Sequence, residues 1–256
     1  MKYLKKNRIL LLVTVLIVIS ATFSAFSGRG QQESFPGRQK PKKMQEQPER
    51  YFGPTVDYDS QEQISTQADD RVVREMRGKR YNLRAPKPFG ELPDDTRMYG
   101  FNSDMTNLLP AIPAKQSDII IQGQVLSSRA YLSNDKTGVY SEYTIKIEDI
   151  LKNSSSSKSP SPDHQIVIER EGGVVRFSSG RLLHYAILNR GLPVNGRQYI
   201  FFLKSSDQEQ SYIIITGYAL EKGIVSPLDV PEQFAAYEGT NADALLKEVR
   251  EAIKNN

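Results

Sequence analysis

The chain has no cysteine among its 256 residues and only two histidines, His164 and His184. Without cysteine it cannot form disulfides, thiolate nucleophiles, iron–sulfur clusters or cysteine-ligated zinc. A catalytic zinc site usually has three protein ligands, so two histidines would need carboxylates contributed by the fold. Both histidines fall in predicted strands, where ordinary structural roles are far more common. We therefore predict no metal site and no cofactor.

Catalytic and nucleotide-binding motifs are also missing. The chain has neither a G-x-S-x-G elbow nor an S-x-x-K set with its partners, and it has no Walker or dinucleotide-binding fingerprint. Apolar residues are scarce as well, at 38% against about 45–50% in a typical globular protein. Most of them lie in the first thirty residues and between about 108 and 229. The sequence thus predicts one modest domain on a long tether and assigns no catalytic residue.

Residues 1–28 have the pattern of a signal peptide or a membrane anchor. Basic residues up to Arg8 precede an apolar run, and small residues at Ala25 and Ser27 suit cleavage just before Gly28. Read as Ile9–Phe26, the run is about 18 residues long, barely enough to span a bilayer uncleaved. The positive-inside rule then leaves the basic residues in the cytoplasm. Both interpretations export the rest of the chain.

Residues 29–107 are interpreted as a largely disordered linker with a possible short helix at 69–77. The first part of the linker is rich in Gln, Pro, Glu, Lys and Arg, a composition that buries too little apolar surface to offset ordering entropy. Its "RQKPKK" segment is interpreted as a solvated spacer, with contact to anionic lipid or cell-wall polymer as the alternative. Much of the net charge of +4 lies in the leader and linker. The domain is nearly neutral, so no nucleic-acid partner is expected.

Residues 108–230 carry the signals of a small β domain. Residues 117–132 and 138–152 form strand patterns joined by the turn "NDKTG", and shorter strands follow at regular spacing. This predicts a mostly-β fold, a small antiparallel OB-like barrel or sandwich. Residues 231–256 add a C-terminal helical segment, with Thr240 and Asp243 as an approximate capping box. We expect its apolar stripe to dock on the sheet.

The segment "EREGGVVRF" is interpreted as a hairpin rather than a phosphate loop. Its glycines have the wrong spacing for a phosphate-binding motif, and a strand rather than a helix follows them. A two-residue turn at Gly172 and Gly173 would place Glu169 opposite Arg176 as an ion pair. We therefore predict that these four residues form a structural hairpin.

One group of side chains is a candidate ligand-binding face. Five arginines and two tyrosines fall between positions 170 and 199, and on one face of a barrel they could bind an anionic or planar ligand. The alternative is that the arginines simply alternate with apolar residues and face solvent. The candidate ligand-binding residues are Arg170, Arg176, Arg181, Tyr185, Arg197 and Tyr199, and Arg190 belongs to the same cluster.

Residues 117–228 resemble an OB-type barrel of the netrin-like/TIMP-like kind and a group of uncharacterised exported bacterial proteins. The resemblance lies in "SDIIIQGQVLSS", in "YTIKIEDILKN" and in the turn and aromatic strand of "GLPVNGRQYIFFL". It implies a small closed barrel. Metalloprotease inhibitors of that class act through an N-terminal cysteine, which this chain lacks. Their inhibitory function is therefore not carried over, and fold alone does not give function.

These observations favour a non-catalytic binding or interaction module of the cell envelope. The expected partner is an envelope protein or polymer, together with the membrane itself if the leader is uncleaved. The expected location is extracytoplasmic: periplasmic or in the envelope, anchored to the inner membrane or secreted. One alternative is a hydrolase of envelope polymers, with His184 and a carboxylate or two carboxylates among Glu142, Glu148 and Glu169. An OB-type nucleic-acid binder is disfavoured by export and near-neutral charge.

Overall fold

The computed structural model describes residues 53–59, 68–93, 99–100, 109–154, 160–206 and 211–255. The predicted leader, 1–28, and residues 29–52 of the predicted linker lie outside the described residues. Within the described ranges, no helix has both the length and the apolar character needed to cross a membrane.

The described residues form strands and helices in the following order. The strands are β1 Thr55–Asp57, β2 Tyr99–Gly100, β3 Ile119–Leu132, β4 Val139–Asn153, β5 Gln165–Glu171, β6 Gly173–Arg176, β7 Leu182–Ile187, β8 Gln198–Ser206, β9 Ser211–Glu221 and β10 Ile224–Pro227. The helices are α1 Ala68–Arg80, α2 Glu232–Ala235 and α3 Ala242–Lys254, with a 3-10 turn at Phe89–Glu91.

Five of these strands close into a barrel. β3 pairs antiparallel with β4, and β4 pairs antiparallel with β5. β5 then pairs in parallel with β9, and antiparallel β9–β8 and β8–β3 pairings complete the ring. β10 adds a strand along β9. The predicted mostly-β fold, an OB-like barrel with a C-terminal helix, is confirmed, as is the turn joining β3 to β4.

The long strand β3 explains the apolar run "DIII". Ile119 and Ile121 point into the barrel, whereas Ile120 packs on the outside against the C-terminal helices, so the run is buried on both faces. The strand bends at Gly123, where the pairing register shifts. A Cβ atom there would lie 2.7 Å from the carbonyl oxygen of Lys146, so only glycine permits this close approach.

Helix α3 covers the outer face of β8, β9 and β10 with apolar side chains. Leu245 and Val249 are fully buried in this second core, together with Phe234 of α2. The helix begins differently from the predicted capping box. Asn241 is the N-cap, because its side-chain oxygen accepts hydrogen bonds from the Asp243 and Ala244 amides. Thr240 instead donates its hydroxyl to the carbonyl oxygen of Tyr237.

The predicted hairpin at Gly172 and Gly173 is wrong. β5 pairs with β4 and β9 in the barrel, whereas β6 pairs with β1 and β7 in a separate four-stranded sheet of order β1-β6-β7-β2. The two glycines have φ values of +128° and +152°, and the chain runs on from one sheet to the other instead of reversing. At Gly173 a Cβ would lie 2.9 Å from Val139, so glycine permits the crossing. The expected Glu169–Arg176 pair is therefore not formed.

Part of the predicted linker belongs to the folded body. Residues 53–59 include β1, which pairs with β6, and residues 68–93 form α1 and the 3-10 turn. Phe89 is fully buried in a third core, with Val139 and Tyr185. The expectation of a largely disordered linker therefore needs correction for these ranges, because long-range partners supply the burial that their own composition lacks.

Candidate functional site

Helix α1 is held on the barrel by arginine–glutamate pairs. Arg77 Nη1 lies 2.8 Å from Glu142 Oε1, and one turn later Arg80 pairs with Glu169. Glu142 and Glu169 are directly opposite each other in the β4–β5 register. Two carboxylates in that position repel each other, so the helix supplies the charges that allow both to be buried.

A third pair continues the row beyond the end of α1. Arg84 Nε lies 3.1 Å from Glu171 Oε1, the same oxygen that accepts a 2.6 Å hydrogen bond from the Tyr185 hydroxyl. Burial and the neighbouring Glu171 carboxylate raise the pKa of Tyr185, so its hydroxyl stays protonated as a donor. The three pairs Arg77–Glu142, Arg80–Glu169 and Arg84–Glu171 are called the Arg–Glu ladder below.

Next to the ladder lies a deeply buried ion pair. Arg170 Nη2 donates to Asp229 Oδ1, and the two residues are 1% and 2% exposed. Asp229 Oδ1 also accepts from the Gly191 amide at 3.2 Å. Arg170 Nε and Nη1, however, have no hydrogen-bond acceptor among the residues that the structure describes. An unsatisfied buried donor is costly, which makes these nitrogens candidates to bind an external acceptor.

Arg80, Arg84 and Glu171 of the ladder, together with Arg170 of the buried pair, line a cavity of about 250 Å³. Four guanidinium groups line it, and three of them, those of Arg80, Arg84 and Arg170, pair with Glu169, Glu171 and Asp229. Burial and the nearby charge of Arg170 lower the pKa of Arg190, as expected where cations are crowded. We call this feature the arginine cavity. Its lining residues are Arg80, Tyr81, Arg84, Arg170, Glu171, Arg190, Ile213 and Ile214.

The structure brings only some of the predicted ligand-binding residues to this cavity. Arg170 lines it, and Tyr185 contacts it through Glu171. Arg176 instead forms an exposed ion pair with Asp57 at 3.6 Å. The guanidinium of Arg181 lies 3.9 Å from the centroid of the Phe177 ring.

The remaining two candidates are elsewhere in the fold. Arg197 pairs with Glu221 at 3.9 Å on the surface. Tyr199 lies in the barrel interior, where its ring stacks on Phe201 and its hydroxyl accepts from the Val194 amide. The six candidates therefore do not share one face.

Sequence reasoning missed two arginines of the cavity, Arg80 and Arg84, because they belong to the segment interpreted as linker. A signal was available in their spacing. Arg77 and Arg80 are three residues apart, which places them on one stripe of a helix, and Arg84 follows four residues later, just past the end of α1. The alternating glutamates of β4 and β5 are the matching partners, but nothing in the local sequence links the two sets.

The residues considered for catalysis have structural contacts of their own. Glu142 and Glu169 belong to the ladder, and Glu148 accepts a 2.8 Å hydrogen bond from Gln198. His164 shares a hydrogen bond with Ser161, and His184 is exposed on β7. Neither histidine lines the arginine cavity. Within the described ranges, no three His, Asp or Glu side chains are grouped so that they could hold a metal ion.

No known protein-family model matches the chain, and a search of well-characterised proteins finds no significant similarity.

Proposed function

We propose that the protein is a non-catalytic binding module of the cell envelope that holds an anionic group in the arginine cavity. The observation that carries the proposal is Arg170, which is 99% buried and has two guanidinium nitrogens without an acceptor in the described part of the chain. Planar guanidinium donors suit carboxylate and phosphate oxygens. The cavity of about 250 Å³ has room for such a group but not for a large ligand.

Charge supports the same ligand class. The charge of Arg170 lowers the pKa of Arg190, so these two lining cations lie close enough to repel each other. An anion bound between Arg170 and Arg190 would relieve the repulsion between these two cations. The apolar wall formed by Ile213 and Ile214 lowers the local dielectric, which strengthens that attraction.

The envelope location is proposed from the leader sequence. Both interpretations of residues 1–28 place the barrel outside the cytoplasm, where phosphate and carboxylate groups are carried by lipids and polymers. An enzyme acting on such polymers remains the competing class. It would need a general acid or base in the cavity, and the lining carboxylate, Glu171, is already engaged by Arg84 and Tyr185.

The test is a titration of the purified full chain with inorganic phosphate and with succinate, followed by calorimetry. Arg190→Gln removes one lining cation and leaves the arginines of the Arg80–Glu169, Arg84–Glu171 and Arg170–Asp229 pairs unchanged, and we expect it to weaken binding about tenfold or more. Arg197→Gln is the matched control, because Arg197 lies outside the cavity in a surface pair. Equal affinities for both variants and the wild type would refute the cavity as the site.

A further inference from the structure

The segment that follows α1 exposes a leucine in an unfavourable backbone conformation. Leu83 is 87% exposed and has a φ of 59°, in the left-handed region that bulky side chains rarely adopt. The conformation is held by two hydrogen bonds: the Leu83 amide donates to Asp135 Oδ2 at 2.8 Å, and the Asp135 amide donates to Asn82 Oδ1 at 3.2 Å. Strain that the surrounding structure enforces on an exposed apolar residue is typical of functional sites.

Exposed lysines lie close in the chain to residues 81–87, which we call the Leu83 loop. Lys79 precedes the loop, Lys87 ends it, and both are exposed. Lys136, also exposed, follows Asp135 directly, and its carbonyl oxygen accepts from the Phe89 amide just beyond the loop. The Asp135 carboxylate beside them is occupied by hydrogen bonds from Ser133, Thr137 and Leu83.

The same loop forms one wall of the arginine cavity, through Tyr81 and Arg84. At the Arg190 wall, two further exposed apolar residues lie close by along the chain, Leu188 and Val230, at 52% and 67% exposure. Their segments are joined, because the Val230 amide donates to the carbonyl oxygen of Asn189. Exposed apolar residues therefore adjoin two walls of the cationic cavity.

Building on the proposed cavity function, we infer that this surface docks on an anionic phospholipid bilayer. Leu83 enters the interfacial region, Lys79 and Lys87 contact the charged surface, and the arginine cavity takes the phosphate of one headgroup. An apolar side chain within a ring of Lys and Arg is the composition that peripheral membrane-binding segments use. The occupant is a lipid phosphate in a membrane rather than free phosphate, because free phosphate gives the exposed leucine no contact.

The inference is tested by measuring how deeply residue 83 of the full chain enters the bilayer. Because the chain has no native cysteine, a single introduced cysteine is labelled site-specifically. Leu83→Cys and the control Leu126→Cys, another exposed leucine on β3, each receive one environment-sensitive fluorophore. The chains are mixed with phosphatidylcholine vesicles with or without phosphatidylglycerol, whose acyl chains carry a quencher. We expect the label at position 83 to be quenched only with phosphatidylglycerol, and the label at position 126 to stay unquenched in both.

The charge requirement is tested in the labelled Leu83→Cys background. Lys79→Gln and Lys87→Gln should each lower the membrane partition coefficient about fivefold at low salt, since one cation near an anionic surface contributes about that factor. A label at position 83 that stays as exposed to solvent as the one at 126 overturns the inference, as does quenching that is equal without phosphatidylglycerol. The phosphate titration of Arg190→Gln decides the cavity function separately, so the two failures are distinguishable.

Discussion

Helices α1 and α3 both cover the outside of one barrel, and they do so through different kinds of side chain. α3 buries Leu245 and Val249 against an apolar face. α1 instead contributes Arg77 and Arg80, which pair with glutamates of β4 and β5. The apolar contact tolerates an approximate fit, whereas a buried ion pair is stable only when both partners are in place. The α1 side of the molecule should therefore be the more sensitive to losing a partner.

The largest loss of stability is expected from removing α1 together with the other elements that precede residue 108. A chain that begins at residue 108 leaves the glutamates of the ladder without arginines and uncovers the core around Val139 and Tyr185. We expect a loss of more than about 5 kcal/mol in the free energy of unfolding, which is enough to prevent folding. A chain that begins at residue 53 is the control and should stay folded. Circular dichroism during thermal unfolding checks both, and equal cooperative transitions would contradict the prediction.

A buried and an exposed ion pair should differ in how much stability the loss of the arginine costs. Arg80→Ala leaves Glu169 with a side chain that is only 1% exposed and has lost its cation. We expect it to lower the free energy of unfolding by about 3–5 kcal/mol. Arg176→Ala breaks the exposed pair with Asp57 and should cost less than about 1 kcal/mol. Urea denaturation at neutral pH measures both, and similar losses would mean that burial of the partner does not govern the cost.

The smallest loss of stability is expected at Asp135, whose carboxylate accepts a hydrogen bond from the Leu83 amide. Burial alone would raise its pKa, but hydrogen bonds from Ser133, Thr137 and the Leu83 amide keep the pKa below its usual range. A lowered pKa contributes stability at neutral pH that is lost as the pH falls through the folded-state value. Asp135→Asn should cost about 1–2 kcal/mol at pH 7.

The difference in the free energy of unfolding between wild type and Asp135→Asn should become smaller below about pH 4, where an ordinary carboxyl group becomes protonated. Urea denaturation at pH 7 and pH 3 gives the two values. Asp163→Asn is the matched control, because that side chain is 85% exposed and its left-handed backbone suits asparagine. A gap that is unchanged at pH 3 would show that the carboxylate charge is not what stabilises the loop.

The apolar parts of the fold could be predicted from the sequence because their signals are local. Alternation along residues 138–152 indicates β4, and the spacing of Leu245 and Val249 indicates α3. The Gly172–Gly173 segment shows where this approach fails. Its composition suits a turn, but β5 and β6 each have better partners elsewhere, and those partners come from distant parts of the chain. The presence of turn-forming residues does not indicate which strands will pair with each other.

The candidate site was predictable only in part. Arg170 was identified from the density of arginines near it, while its burial and its pairing with Asp229 depend on a contact between distant residues. Arg80 and Arg84 were missed because charged residues in a polar segment normally remain solvated. Their pairing with Glu169 and Glu171 of β5, which are distant in the chain, is what draws them onto the barrel.

The pairing of β1 with β6 also has a consequence for the order of folding. β1 comes first among the described strands, yet its partner, β6, is synthesised far later, and β1 has no pairing with the intervening barrel strands. Contacts between distant parts of a chain form slowly, because the intervening loop must close first. The barrel strands β3 and β4, joined by a short turn, can pair well before this. We therefore expect the amides of β1 to be the last to gain protection from hydrogen exchange during refolding.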